Sequence, residues 1–240
     1  MQDFLKQERL SVIEQNISYY NEIAEQYDEI LDRDHSNELI RKKVASIFSE
    51  LVPSGLVLDF GGGTGKDLEW LVQKGYDIIF CEPSVKMREK AFLSGKKNLQ
   101  QNNIVFLENP ASDFNTWETN LPFSRKADAV LANFAVINSI PCIELLFKNL
   151  SLVMRPGGHL LMLVLKSDFK KRWRSNHCAA LLSLFTSATV TADIQFSSWR
   201  QKVHLYTIRK IKKTARPYFD FHGNWLLKEN DFILLHLARK

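Results

Sequence analysis

Two short segments concentrate the residues able to do chemistry: Asp59-Phe60-Gly61-Gly62-Gly63-Thr64-Gly65 and Glu82-Pro83-Ser84, each following an apolar run. Glycines at alternate positions let the backbone turn sharply and let a ligand lie against it with no Cβ in the way. Each segment also carries a carboxylate, the side chain richest in acceptor positions for ammonium and hydroxyl groups. His177, His204 and His222 are candidate general bases, since imidazole titrates near neutrality. None is paired in sequence with a nucleophile or an orienting carboxylate. His159 opens a strand at the far end of a sheet and reads as structural. Cys81, Cys142 and Cys178 make no CxxC pair, so neither a zinc site nor a disulfide framework is expected, and no other metal.

These residues need elements to hold them. Ile13, Ile17, Tyr20, Ala24, Tyr27 and Leu31 recur at steps of three or four, which predicts one helix or two over residues 8–31. A polar break at 32–37 precedes a second helix carrying Ile40, Val44, Ile47, Phe48 and Leu51, which Pro53-Ser54-Gly55 ends. Apolar runs at 56–60, 77–82, 104–107, 127–132 and 159–165 then alternate with helical stretches, the last opened by Pro141 and stopped by Pro156-Gly157-Gly158. Near-continuous apolar strands suit a parallel sheet buried on both faces. The predicted fold is a doubly wound α/β, with a mostly parallel sheet of about seven strands whose last strand is antiparallel. Residues 169–187 read as a basic helix with Trp173, Leu181 and Leu184 inward. Residues 189–205 read as a strand pair, and Thr207 as the cap of a short basic helix ending near Thr214. Final strands at 217–221 and 232–237 are expected on either side of turn residues around Gly223. The expected organisation is a helical cap at 1–52 and a core at 53–240, with a lid at 166–216.

Three nucleotide-loop patterns compete for the glycine segment. A phosphate-binding P-loop requires GxxxxGK[ST], but Phe60 stands at the first glycine and Asp67 follows Lys66. A dinucleotide fingerprint, GxGxxG, begins at Gly61 and Gly63 but meets Lys66, which weighs against a nicotinamide-dependent oxidoreductase. The third pattern, Asp59-x-Gly61-x-Gly63-x-Gly65, resembles the first motif of the class I S-adenosylmethionine (SAM) methyltransferases of small-molecule type. Glu82-Pro83-Ser84-x-x-Met87-x-x-x-Ala91 resembles that family's second motif, and Arg155-Pro156-Gly157-Gly158 the turn before its fifth strand. Tyr19-Tyr20 and Tyr27-Asp28 resemble its tyrosine-rich N-terminal helix, and Leu205-Tyr206-Thr207 a late substrate-side segment. The resemblance covers nearly the whole chain.

The resemblance implies that Asp59 and the backbone of Gly61, Gly62, Gly63 and Gly65 hold the methionine end of SAM, with S-adenosylhomocysteine as the product. It implies that Glu82 accepts from both ribose hydroxyls, that Pro83 and Met87 lie at the adenine, and that Asn133 and Phe134 sit beside the reacting methyl. Glu82 stands 19 residues after Gly63, the spacing of a ribose-binding acid. After strand three, Asn109, Ala111 and Ser112 are the alternatives for the adenine-facing position. Tyr20, His204 and Tyr206 are the candidate catalytic residues. Asn133-Phe134-Ala135-Val136 lacks the prolines of the base amino-methyltransferases, which lowers the case for DNA adenine methylation. Pro141-Cys142 echoes the nucleophile of cytosine C5-methyltransferases, but it lies too far past strand four and inside a helix.

Composition bounds the rest. At 240 residues, with 45% hydrophobic and 25% charged, the chain reads as an ordinary globular protein. No apolar run is long enough for a membrane helix and the N-terminus lacks a signal-peptide core, so a cytoplasmic protein with no membrane partner is expected. The formal net charge of +5 is uneven: residues 166–216 hold 12 basic against 2 acidic residues, while 1–165 hold 17 against 22. The function expected is methyl transfer to an oxygen, nitrogen or carbon atom of a small molecule. Two alternatives stay open: action on RNA or a carrier-bound substrate through the basic segment, and SAM binding without catalysis.

Overall fold

The computed structural model describes residues 2–98, 104–165, 189–196, 198–227 and 231–240. The predicted 169–187 helix, with Trp173, His177 and Cys178, lies outside the described residues.

A single helix, α1 (Gln2–Asp32), covers the whole N-terminal periodic stretch. The polar break is a two-residue turn, after which the Asp34 side chain accepts from Ser36 N–H at 2.9 Å and caps α2 (His35–Leu51). β1 (Leu56–Phe60), α3 (Leu68–Gln73), β2 (Asp77–Cys81), α4 (Val85–Asn98), β3 (Ile104–Phe106), β4 (Ala127–Ala132), α5 (Ile143–Val153) and β5 (Met154–Leu165) then alternate as the apolar runs predict. A separate hairpin, β6 (Val190–Phe196) and β7 (Trp199–Leu205), precedes α6 (Ile208–Ala215), and β8 (Phe219–Leu226) and β9 (Phe232–Arg239) close the chain. Thr207 caps α6, its hydroxyl accepting from Lys210 N–H at 3.1 Å.

The main sheet has seven strands in the order β3-β2-β1-β4-β5-β9-β8. β1 to β5 are parallel neighbours, β9 runs antiparallel to both β5 and β8, and β9 is therefore the one strand of the sheet that runs opposite to the rest. Its two faces bury alternate residues. Leu58, Phe60, Val130, Leu160 and Met162 pack toward α5 and α6, beside Leu146, Phe147 and Ile211. Val57, Ile78, Leu131 and Leu161 pack toward α2 and α3, beside Val44, Phe48 and Leu71. The helix α2 therefore belongs to one of the outer layers of the sandwich, with Val44 and Phe48 fully buried. Each such side chain removed from water contributes roughly 1.5–3 kcal/mol.

Two boundaries differ from the sequence reading. The chain from Met154 to Gly158 extends β5 at its start, with a register shift opposite Ala127 and Ala129 that accommodates Pro156 to Gly158. Gly223 lies inside β8 rather than in a turn, next to a register shift between Phe221 and Gly223. A bulge takes up the glycine, so the strand continues through it. No helix among the described residues is long and apolar enough to cross a membrane.

Candidate active site

The parallel strands deliver their carboxyl ends to one edge. The chain passes from β1 outward to β2 and β3, then returns to β4 and β5 on the other side, so a crevice opens between β1 and β4. A cavity lies there, lined by Gly61 to Thr64 after β1, by Glu82, Pro83 and Met87 after β2, and by Ser112 to Phe114 after β3. Asn133, Phe134, Val136, Ser139 and Ile140 after β4 line it too, with Ile13, Asn16, Ile17, Tyr20 and Tyr27 of α1 above.

The glycine loop is fixed by its neighbours. Gly61 has φ 72°, and a Cβ there would stand 2.5 Å from Val136 Cγ1, so only glycine fits. A Cβ on Gly62 would strike the Phe80 ring and Asp59 Oδ2. Gly61 N–H donates to Cys81 O at 2.7 Å and Gly63 N–H to Glu82 Oε2 at 3.0 Å, which ties the loop to the end of β2. A Cβ on Gly63 would meet only Tyr27, at 3.8 Å, so the backbone at Gly63 faces open cavity.

Glu82 is buried at 7% exposure, and its other oxygen, Oε1, accepts from Ser84 N–H at 2.8 Å. Burial pushes its carboxyl up to about 7, against the pull of those two backbone donors and of Arg88. Tyr20 and Tyr27 also border the cavity, and burial holds both phenols well above their usual range. Tyr20 stands edge-on between Tyr19 and Tyr27, with ring centroids 5.4 and 6.0 Å away.

Four residues on the wall or holding it were not singled out in the sequence. Arg41 of α2 pairs with Asp67 at 2.6 Å, both side chains largely buried, and its guanidinium lies 4.5 Å over the Phe134 ring. Asp67 also accepts from Asn133 Nδ2 at 3.0 Å and from Trp70 Nε1 at 2.8 Å. Asp113 lines the cavity after β3 while accepting from Asn115 N–H at 3.0 Å. Asn16 of α1 pairs with the backbone of Lys202 in β7, accepting from its N–H at 2.9 Å and donating to its carbonyl at 3.0 Å. The Asn16 amide also donates to Ser139 O at 2.8 Å.

The structure brings Gly61, Gly62, Gly63, Glu82, Pro83, Met87, Asn133, Phe134 and Tyr20 together around this cavity. It does not place Asp59, Gly65, Ala111, His204 or Tyr206 on the wall. Asp59 lies beneath Gly62, 1% exposed, with Oδ2 unpartnered; burial and the neighbouring Asp67 raise its carboxyl well above the usual range. Gly65 packs against Ala91 and Leu68, and Ala111 packs on the core. Of the alternatives after β3, Ser112 faces the cavity. Tyr206 donates to Ile140 O at 2.5 Å, and His204 stacks on the Tyr206 ring at 6.1 Å, so both brace the turn after β4 from outside. Successive residues of a strand point to opposite faces, and Gln201 and Val203 take the face that His204 cannot.

The model of a family described as a methyltransferase domain matches residues 31–236. The chain belongs to that family. No curated protein matches this methyltransferase in sequence. Solved structures share its fold: a protein from Pyrococcus horikoshii is 16% identical with a TM-score of 0.62, covering 86% of this chain and 93% of its own. An S-adenosylmethionine-dependent methyltransferase from Clostridium acetobutylicum is 15% identical with a TM-score of 0.58, covering 92% and 98%. DhpI, solved as a DhpI-SAM-HEP complex, is 17% identical with a TM-score of 0.63, covering 95% and 98%.

Proposed function

We propose that this methyltransferase moves the sulfonium methyl group of S-adenosylmethionine to an oxygen, nitrogen or carbon atom of a small molecule bound in the cavity above β1 and β4. The observation that carries the reading is Glu82. Each of its oxygens accepts one backbone N–H, from Gly63 and Ser84, and keeps an acceptor position free. Two adjacent acceptors on a rigid, buried carboxylate suit the two hydroxyls of a ribose.

The surrounding residues fit the other parts of the cofactor. The Met87 thioether and Pro83 offer an apolar face to a purine, with Ser112 and Asp113 at its polar edge. The Arg41–Asp67 pair presents one charge of each sign, as a zwitterionic amino-acid end requires, and the open backbone at Gly63 lets that end pass closely. In this reading Asp59 supports the loop from below and acts on the ligand only through its field. Bound SAM supplies an electrophilic methyl on a charged sulfur. The chain's own residues hold the reactants in one geometry, and that placement supplies much of the rate. No covalent bond to the protein is needed.

Water must be kept out while this happens. In the cap proposed for residues 1–52, α1 lies over the cavity and α2 packs against the sheet. The proposed lid includes the hairpin β6–β7, which α1 grips through Asn16 and Tyr20. Thermal unfolding with saturating S-adenosylhomocysteine, and separately with NADH, tests the cofactor assignment. At a hundredfold excess over its Kd, S-adenosylhomocysteine should stabilise the fold by about 2.7 kcal/mol. A shift with NADH alone would reject the reading.

A further inference from the structure

We propose that the acceptor molecule is neutral and largely apolar, and that the Tyr20 hydroxyl, aligned by Gln201, donates a hydrogen bond to one of its oxygen or nitrogen atoms. This rests on the cofactor lying at the Glu82 end of the cavity. The charged side chains on the wall belong to that end or are engaged: Arg41 with Asp67 at 2.6 Å, Lys66 with Asp32 at 2.6 Å, and Asp113 with Asn115. The part of the wall between α1 and the turn after β4 is formed by Ile13, Ile17, Val136 and Ile140, with Asn16, Ser139 and Tyr20 as its polar members.

The polar groups there are spent, with one exception. Ser139 Oγ donates to Val136 O at 2.7 Å, and the Asn16 amide is consumed by Ser139 O and the Lys202 backbone. Tyr20 differs. Gln201 Nε2 donates to its phenol oxygen at 2.7 Å, which occupies that oxygen as an acceptor and leaves its O–H to donate elsewhere. No group among the described residues takes that proton. Burial keeps the phenol protonated far above neutrality, so Tyr20 serves as a hydrogen-bond donor and not as a base. A charged guest there would lose its water and meet no counter-charge among the described residues, a cost of several kcal/mol. A neutral ring bearing one acceptor atom meets both the apolar wall and the waiting O–H.

The test loads the full chain with S-adenosylhomocysteine and titrates it, by NMR, with three probes of matched size: quinoline, N-methylquinolinium and 2-naphthoate. Quinoline should bind saturably and at least about tenfold more tightly than either ion. Tyr20→Phe should weaken quinoline about three- to tenfold while calorimetry finds S-adenosylhomocysteine affinity within about threefold of wild type. Gln201→Glu, whose carboxylate accepts the Tyr20 O–H as a hydrogen bond, should reproduce the loss, and Gln201→Asn should bind quinoline less tightly than wild type. Ile17→Asp should reverse the preference toward N-methylquinolinium. Equal binding of the three probes, no quinoline binding to the loaded protein, or an unchanged Tyr20→Phe would overturn the proposal. Failure of S-adenosylhomocysteine itself to bind the wild type would instead strike the cofactor reading on which this rests.

Discussion

Gly63 donates its backbone N–H to Glu82 Oε2 at 3.0 Å, joining the loop after β1 to the end of β2 across 19 residues. The bond fixes where the carboxylate stands and uses only one of its acceptor positions. Ligand binding is thereby coupled to the charge on Glu82. A diol is held by the ionised form, so S-adenosylhomocysteine affinity should rise as pH increases to about 7 and level off above it. The slope below 7 should approach tenfold per pH unit. Calorimetric titration from pH 5.5 to 8.5 reads it, and a flat profile would separate Glu82 from the ligand.

The same group makes the unliganded fold pH-sensitive. Its carboxyl titrates at about 7 when folded, against an ordinary 4.5, so the folded chain holds a proton that the unfolded chain has released between those values. The contribution to stability is complete below 4.5 and is lost as pH rises through 7. Glu82→Gln removes the penalty, and at pH 8 the free protein should gain up to about 3 kcal/mol while losing cofactor affinity. Thermal melts of both proteins at pH 5 and pH 8 check this. A Glu82→Gln protein less stable than wild type at pH 8 would show that the carboxylate is not strained.

Arg41 and Asp67 form a buried ion pair at 2.6 Å, so removing one partner strands the other. Arg41→Met should lower stability by about 3 kcal/mol and weaken S-adenosylhomocysteine more than tenfold. Arg41→Lys should recover part of the stability but less of the affinity, because an ammonium lacks the planar fork. Denaturant unfolding with parallel calorimetry separates the two effects.

Asp59 and Gly62 give a contrast within one motif. Because the Asp59 carboxyl lies under the loop and off the wall, Asp59→Asn should change S-adenosylhomocysteine affinity less than about threefold, the scale of a lost weak electrostatic effect. Gly62→Ala would push a Cβ into the Phe80 ring and should abolish binding. The reverse order of effects would return Asp59 to direct contact with the ligand.

Asn16 pairs with both backbone groups of Lys202, as a neighbouring strand would, and its remaining amide hydrogen reaches Ser139 O. Asn16→Leu leaves those three backbone groups unpaired and should cost about 1–3 kcal/mol. Amide hydrogen exchange should speed up in α1 and β7 together while the sheet stays protected. Exchange unchanged in β7 would mean that α1 does not hold the hairpin.

Much of this was legible from local pattern. Leu56 to Phe60 and Ala127 to Ala132 read as buried parallel strands because both faces of the sheet are covered. The acid at Glu82 and the glycines at 61–63 read as a ligand loop because their chemistry is contained in a few consecutive residues. The roles of Arg41 and Asn16 are not legible in the sequence because each acquires its meaning from a partner far along the chain: Asn16 bonds to residue 202, 186 positions away. In the sequence Asp67 stands out only as the residue that breaks the P-loop pattern, which places a carboxylate just before the helix after the loop. His204 stands out in the sequence because an imidazole is chemically suggestive in isolation, while its position in β7 leaves it off the cavity wall. The placement of Asp59 beneath the loop is not legible in the sequence, because a motif position says which loop a residue belongs to, not which side of that loop it occupies.

The most direct test is calorimetric titration of S-adenosylhomocysteine into the wild-type protein and Glu82→Gln at pH 8. Saturable one-to-one binding by the wild type, weakened more than about a hundredfold in a folded Glu82→Gln protein, is the predicted result for loss of two charge-assisted hydrogen bonds. Equal binding by both proteins, or none by a folded wild type, would contradict the assignment of this cavity to the cofactor.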